Sequence, residues 1–294
     1  MTSLEDWHKA GHAAHEALIY GASLIKVGVK YSDISDSVEK KLKELGANLA
    51  FPVNISINAT AAHDVPYSIE ERKFTENDLV KLDVGAEING AIGDNALTVD
   101  LTGKHSDLVK ASKDARDKAI EIIKPGIKLR EIGKVIEKTI ISYGFQPIRN
   151  LSGHSLEPYT IHAGTTIPNH DDGSNETLKE GMIIAIEPFA TTGDGLIHEG
   201  NNAEIFALVQ KKPVRSLVTR EALKYMEERK GLPTSSRWLA QKITPLKANF
   251  ALKEMNQLEM IHTYPPLIEV KKGLVSQSEH TILVTKEGCE ILTK

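Results

Sequence analysis

The sequence predicts an α/β fold of two similar halves facing each other across a pseudo-twofold axis, with a helical segment inserted into the second half. Three observations predict it. Residues 79–97 read as a tight β-hairpin with two acids on one face. The chain repeats itself at a spacing of about a hundred residues, too long for a solenoid unit. Residues 206–266 have helical spacing broken by Pro213, Pro233 and Pro245, and no counterpart in the first half. The expected division is residues 1–205 with 267–294 as one two-lobed unit, and 206–266 as an inserted helical subdomain. The lobes are about 1–100, and 101–205 plus 267–294. The sheet between them is expected to be mixed or antiparallel and covered by helix pairs.

In the first half, Trp7, Ala10, Ala14, Leu18 and Ile25 recur at helical spacing over 3–26, and Thr2 with Glu5 makes a capping box. A second helix, about 32–45, carries Ile34, Val38, Leu42 and Leu45 on one face and stops at Gly46. His8, His12 and His15 share a face of the first helix. They read as a solvated face among Lys and Glu, with a metal site as the alternative. An alternating strand from Val53 to Asn58 then leads to His63.

The hairpin comes next. Asn89-Gly90 is a strong two-residue turn signal because both residues accept positive φ. With that turn, residues whose numbers sum to 179 face each other, so Asp94 lies opposite Gly85 and Asp83 shares its face. The two acids become diagonal neighbours with Cα atoms roughly 7–8 Å apart. The facing residue is a glycine, so no apolar side chain is expected between them. Buried, ionised and unpaired carboxylates are costly, and a cation is the obvious remedy. The alternative is a twisted ribbon that turns one or both acids to solvent.

The second half repeats the first. With a shift of 98, residues 25–46 fall on 123–144 with 8 of 22 positions identical, Gly28/Gly126 and Gly46/Gly144 among them. With a shift of 104, residues 74–86 fall on 178–190, and Glu187 takes the place of Asp83. His63 and His162 correspond with one residue of slippage. His154 follows Gly153, and Glu279 begins the last apolar strand. Taken together, Asp83, Asp94, His154, Glu187 and Glu279 supply four carboxylates and one imidazole at expected strand positions. That set suits two divalent ions sharing carboxylates.

Composition sets outer bounds. At 294 residues and 40% hydrophobic, the chain can bury one large α/β core or two smaller ones. A net charge of −4 without a long basic run disfavours a nucleic-acid or anionic-membrane surface. The helices of 206–266 with a strand pair also fit a winged-helix DNA reader, but no concentrated basic helix supports that. The single cysteine, Cys289, leaves no internal disulfide and suits a reducing compartment. The N-terminus lacks a signal-peptide pattern, so a cytoplasmic location is expected.

These motifs together resemble the methionine aminopeptidases of the "pita-bread" fold, type 2, in its short archaeal-like form. The resemblance rests on residues 83–94, Gly153-His154-Ser155, Ile161-His162, Ile186-Glu187-Pro188, Tyr264-Pro-Pro-Leu and Ser278-Glu279-His280. X-Pro aminopeptidases and prolidases share the ordered ligand set and are the alternative, as is a non-catalytic binding protein of this fold. Two features favour type 2: the first ligand comes as early as residue 83, and 92 residues separate Glu187 from Glu279.

The resemblance implies two divalent ions (Co, Mn, Fe or Zn). Asp83 would hold one, Asp94 and Glu279 would bridge both, and His154 and Glu187 would complete the second. It further implies proton handling by Glu187, a hydrogen bond from His162 to the scissile carbonyl, and contact of His63 with the following amide. Phe51, Ile161, His198 and Tyr264 would enclose the methionine side chain. The expected partner is the N-terminal methionine of nascent polypeptides with a small second residue, with ribosome contact possible in that setting. A monomer is expected.

Overall fold

The structure is a computed structural model and describes residues 2–294. Helix α1 (Leu4–Leu24) buries Trp7, Ala10, Ala14 and Leu18, the face expected from their spacing. Its capping box lies one residue later than Thr2–Glu5. Ser3 Oγ accepts from Asp6 N, and the Asp6 carboxylate accepts from Ser3 N at 2.8 Å. The Thr2 hydroxyl instead donates to Asn89 O at 2.7 Å, which ties the helix start to the hairpin turn. Helix α2 (Tyr31–Glu44) buries Ile34, Val38 and Leu42 and is followed by Gly46 at φ +76°. Both helices pack with Leu82 and Val84 into the first lobe's core.

The hairpin pairs Leu79–Ile88 with Ala91–Asp100, and Asn89 and Gly90 both have positive φ. Gly85 pairs with Asp94 and Asp83 with Ala96, the register expected from the turn. Asn54–Ile57 adds on the other edge of Leu79–Ile88 and sets Asn54 opposite Asp83.

The second lobe repeats the first bond for bond where its helices meet the sheet. Helices α3 (Ser106–Glu121) and α4 (Leu129–Ser142) stand where α1 and α2 stand. Gly28 N donates to Phe74 O at 2.8 Å, and Gly126 N to Leu178 O at 2.8 Å. Phe74 N donates to Val29 O, and Leu178 N to Ile127 O, both at 3.0 Å. Both glycines need their positive φ, +87° and +83°, a region that costs a side-chain-bearing residue energy. The core of this lobe joins Leu108, Ala115, Ile132 and Ile136 to Ile184, Ile186 and Ile282.

Among the described residues every pairing of named strands is antiparallel, and the expected sheet is divided into five. One division has a clear cause. His280 pairs with Ile186 and Gln277 pairs with Phe189, but between them Glu187-Pro188 and Ser278-Glu279 are joined only by one long bond, Ser278 N to Pro188 O at 3.4 Å. Proline has no N–H to give the ladder. Glu279 N turns away instead, to Ala96 O of the hairpin at 2.9 Å.

Helices α5 (Leu217–Glu228), α6 (Ser236–Ile243) and α7 (Pro245–Gln257) build a separate cluster around Met226, Leu239, Leu252 and Met255. They rise from strands Ile205–Leu208 and Ile261–Tyr264, which pair so that Ile205 faces Tyr264. Among the described residues no helix is long and apolar enough to cross a membrane.

Candidate metal centre and active site

Asp83, Asp94, His154, Glu187 and Glu279 line one cavity where the two lobes meet. Asp83 and Asp94 come from the hairpin, and His154 from strand Ser152–Leu156, whose neighbour in register is Ala185. Glu187 and Glu279 lie off the strands, in the gap just described, rather than at the strand positions expected. The unladdered backbone there is what lets both carboxylates turn into the cavity.

The cluster is tight. One donor atom each from Asp94, His154 and Glu279 lies within 4.8 Å of the other two. His154 Nε2 lies 3.7 Å from Asp94 Oδ2 and 3.5 Å from Glu187 Oε1. Asp83 Oδ1, Asp94 Oδ1, Glu279 Oε1 and His154 Nδ1 are buried with no hydrogen-bond partner. Burial pushes the Asp83 carboxyl up to about 7, against the neighbouring Gln277 amide. Asp94, Glu187 and Glu279 are pushed well above the usual carboxylate range, by burial first and then by the charge of neighbouring carboxylates: Asp83 for Glu187, Asp83 and Glu187 for Asp94, and all three for Glu279. Burial, then nearby His162, brings His154 down to about 3, so its ring is neutral with a free lone pair. Oxygen atoms buried without donors and a neutral imidazole are what a divalent cation satisfies, so the residues fit the group.

Two further histidines stand beside this cluster. The His162 ring meets that of His154 edge-on, with centroids 4.5 Å apart, and faces the open cavity. His63 sits edge-on to Tyr264 at 5.7 Å. Burial lowers both imidazoles, His63 to about 4 with His162 as the next cause, so both are neutral at pH 7. His63 has φ +64°, and Asn54 holds it there: Asn54 Oδ1 accepts from His63 N at 2.9 Å while Asn54 Nδ2 donates to Pro52 O. Gln277 donates from Nε2 to Glu187 Oε2 at 3.4 Å.

The cavity encloses about 70 Å³ and is walled on one side by Phe51, Ile161, Ile205, Pro233 and Tyr264. Phe51, Ile161 and Tyr264 are where the sequence reading set them. His198 is not: it is exposed on strand Ile197–Glu199, outside the cavity, and Ile205 supplies the wall instead. A second cavity of about 350 Å³ opens beside the first and shares Ala62, His63, His154, His162 and Glu187 with it. Asn54, Gln277, Ile205 and Pro233 escaped the sequence reading. Asn54 was legible in retrospect, since the hairpin register extended to the preceding strand sets it opposite Asp83. His8, His12 and His15 take no part: among the described residues the one ligand-like cluster is Asp94, His154 and Glu279.

Fold and donors together define a two-lobed protein with a carboxylate-rich metal centre suited to hydrolysis. The sequence profile of metallopeptidase family M24 matches residues 5–286, and the chain belongs to that family. Within it, the chain is 46% identical over 287 residues to a methionine aminopeptidase of Archaeoglobus fulgidus, covering 97% of each chain. It is 45% identical over 295 residues to one from Thermococcus onnurineus, covering 100% of each. Among solved structures, a methionine aminopeptidase from Thermotoga maritima superposes with TM-score 0.72 at 27% identity, over 99% of this chain and 96% of that one.

Proposed function

We propose that this protein removes the N-terminal methionine from peptides whose second residue is small. The observation that carries the reading is the junction of two unlike walls: orphaned carboxylate oxygens on one side and apolar Phe51, Ile161, Ile205 and Tyr264 on the other. The similarity to methionine aminopeptidases over nearly the whole chain supports the same reading.

Asp83, Asp94, His154, Glu187 and Glu279 would hold two divalent ions, with His154 presenting its neutral nitrogen. Bound cations supply Lewis-acid chemistry, acidifying a water and polarising the scissile carbonyl. Glu187, within 3.5 Å of His154 and steadied by Gln277, takes the water proton and passes it to the leaving amine. His162 donates to the carbonyl oxygen as negative charge grows there, the role of an oxyanion-hole donor. His63 meets the amide of the second residue. The apolar wall takes the methionine side chain, and the shared second cavity gives the leaving peptide room. Nascent chains are the substrate, met by a monomeric enzyme in the cytoplasm as they leave the ribosome. Residues 206–266 form an inserted subdomain whose roots, Ile205 and Tyr264, close the methionine wall.

A single assay tests the assignment. Methionine should be released from Met-Gly-Met, and an X-Pro peptide should stay intact. Cleavage of the X-Pro peptide with none of Met-Gly-Met would make the protein an X-Pro peptidase.

A further inference from the structure

A cavity separate from the two already described opens between α1 and α3, one helix from each lobe, and encloses about 300 Å³. That is the lower end of the size range of small-molecule sites. Its floor is the chain next to two proposed ligands: Asn95–Thr98, after Asp94, and Gln277, Ser278 and His280, around Glu279. Leu18, Ile19, Leu97 and Val109 make its surface mostly apolar.

Arg116, Lys113, Ser278 and His280 bring donors to this chamber. Arg116 is only 9% exposed. Its Nε and Nη2 hold Asp117 at 2.9 and 2.6 Å, and among the described residues no acceptor meets Nη1. Lys113 shares the same carboxylate, Nζ to Asp117 Oδ2 at 2.6 Å. Two cations thus divide one anion at the chamber wall, and Glu279 behind the floor is a further acid close enough to interact with Arg116. Thr293 Oγ1 accepts the Thr281 N–H at 3.0 Å and lies 2.9 Å from His280 Nδ1, and among the described residues His280 Nε2 meets no partner. The Ser278 hydroxyl also meets no partner among the described residues. Of the remaining polar members, His15 and Asn95 face each other at 3.5 Å, the Thr98 hydroxyl donates to Gln277 O at 2.8 Å, and the Gln277 amide turns to Glu187.

A buried guanidinium with a spare arm, beside a lysine in a mostly apolar chamber, selects an anion with an apolar body. We propose that this chamber binds a small organic carboxylate with a short aliphatic chain. The carboxylate lies on Arg116 Nη1 with Lys113, Ser278 and His280 as further donors, and the chain lies against Leu18, Ile19, Leu97 and Val109. The site lies outside the catalytic cavity and does not depend on the peptidase reading.

Calorimetric titration of the metal-stripped protein with sodium hexanoate tests it, with hexanamide and inorganic phosphate as comparisons. Hexanamide keeps the body and lacks the charge; phosphate keeps the charge and lacks the body. Hexanoate should bind one per chain and at least about tenfold tighter than either, the worth of a charge-assisted hydrogen bond. Arg116→Met should remove that advantage. Lys113→Glu, at an exposed position that does not endanger folding, should weaken hexanoate by about the same factor, and Tyr264→Ala should leave it unchanged. Absence of hexanoate binding, equal binding of hexanamide, or indifference to both Arg116→Met and Lys113→Glu would overturn the proposal. So would a loss on Tyr264→Ala alone, which would put the molecule in the catalytic cavity.

Discussion

The ring of Phe51 lies against the backbone of Gly85, its Cε1 only 2.3 Å from where a β-carbon of residue 85 would stand. Gly85 is the residue opposite Asp94 in the hairpin, so one glycine serves two ends. It admits the aromatic wall of the cavity and brings that wall up to the acids. The space between Asp83 and Asp94, which the sequence alone leaves free of apolar groups, is thus bordered by an aromatic ring.

Gly85→Ala should therefore displace Phe51. Overpacking of this kind costs about 1–3 kcal/mol, to be read from the denaturant midpoint. The KM for a methionyl peptide should rise more than kcat falls, because the ring forms the side-chain wall and not the hydrolytic centre. An unchanged KM would show that Phe51 does not touch the substrate.

Asp94→Asn removes a carboxylate that sits beside His154, with Asp83 and Glu187 close enough to shift its protonation. Metal content after purification should drop and turnover should vanish. Full metal loading with full activity in this variant would remove Asp94 from the ligand set.

His162→Ala should behave differently. The ring meets His154 edge-on and lines the cavity beside the carboxylates. Metal content should stay, and turnover should fall by about two to three orders of magnitude, as for loss of an oxyanion donor. Metal loss in parallel would make His162 a ligand.

The metal-stripped protein should have an unusual stability profile. Asp83 is raised to about 7 in the fold, and Asp94, Glu187 and Glu279 are raised well above the usual carboxylate range. An acid raised on folding binds its proton more tightly in the native state, so its contribution is present at low pH and is lost as pH rises. His63 and His154, lowered to about 4 and about 3, act in the opposite sense, but only below about 6.5, where unfolded histidine is protonated. Between pH 6.5 and 8 these imidazoles no longer count; the buried Lys81 amine, lowered well below its usual range by burial, opposes the acids, but equally with and without metal. The melting temperature of the stripped protein should fall across that interval, and saturating divalent metal should abolish the fall. A melting temperature that rises across it would mean that the acids are paired without metal.

Much of this was legible in the residues, for reasons that differ by element. Asn89-Gly90 admits one turn, and the turn alone sets Asp94 against Gly85. The repeat was readable because Gly28 and Gly126 occupy the same left-handed position and make the same hydrogen bond. Phe51 over Gly85 was not readable, since a contact between strand and loop leaves no periodic trace. The place of Glu187 and Glu279 in a gap between sheets depends on where the ladder fails, and Pro188 is the only hint of it. His198 was set in the wall by resemblance to the family alone, with no strand register behind it. Only the pairing of Ile205 with Tyr264 across two strands puts Ile205 there instead.

The most direct measurement is methionine release from Met-Gly-Met by chelator-stripped protein, followed while Co²⁺, Mn²⁺, Fe²⁺ or Zn²⁺ is added and bound metal is counted. Stripped protein should be inactive, and activity should rise with metal bound to the five-residue cluster until about two ions per chain are held. Methionine release that persists after stripping, or that never appears at any metal level, would contradict the account.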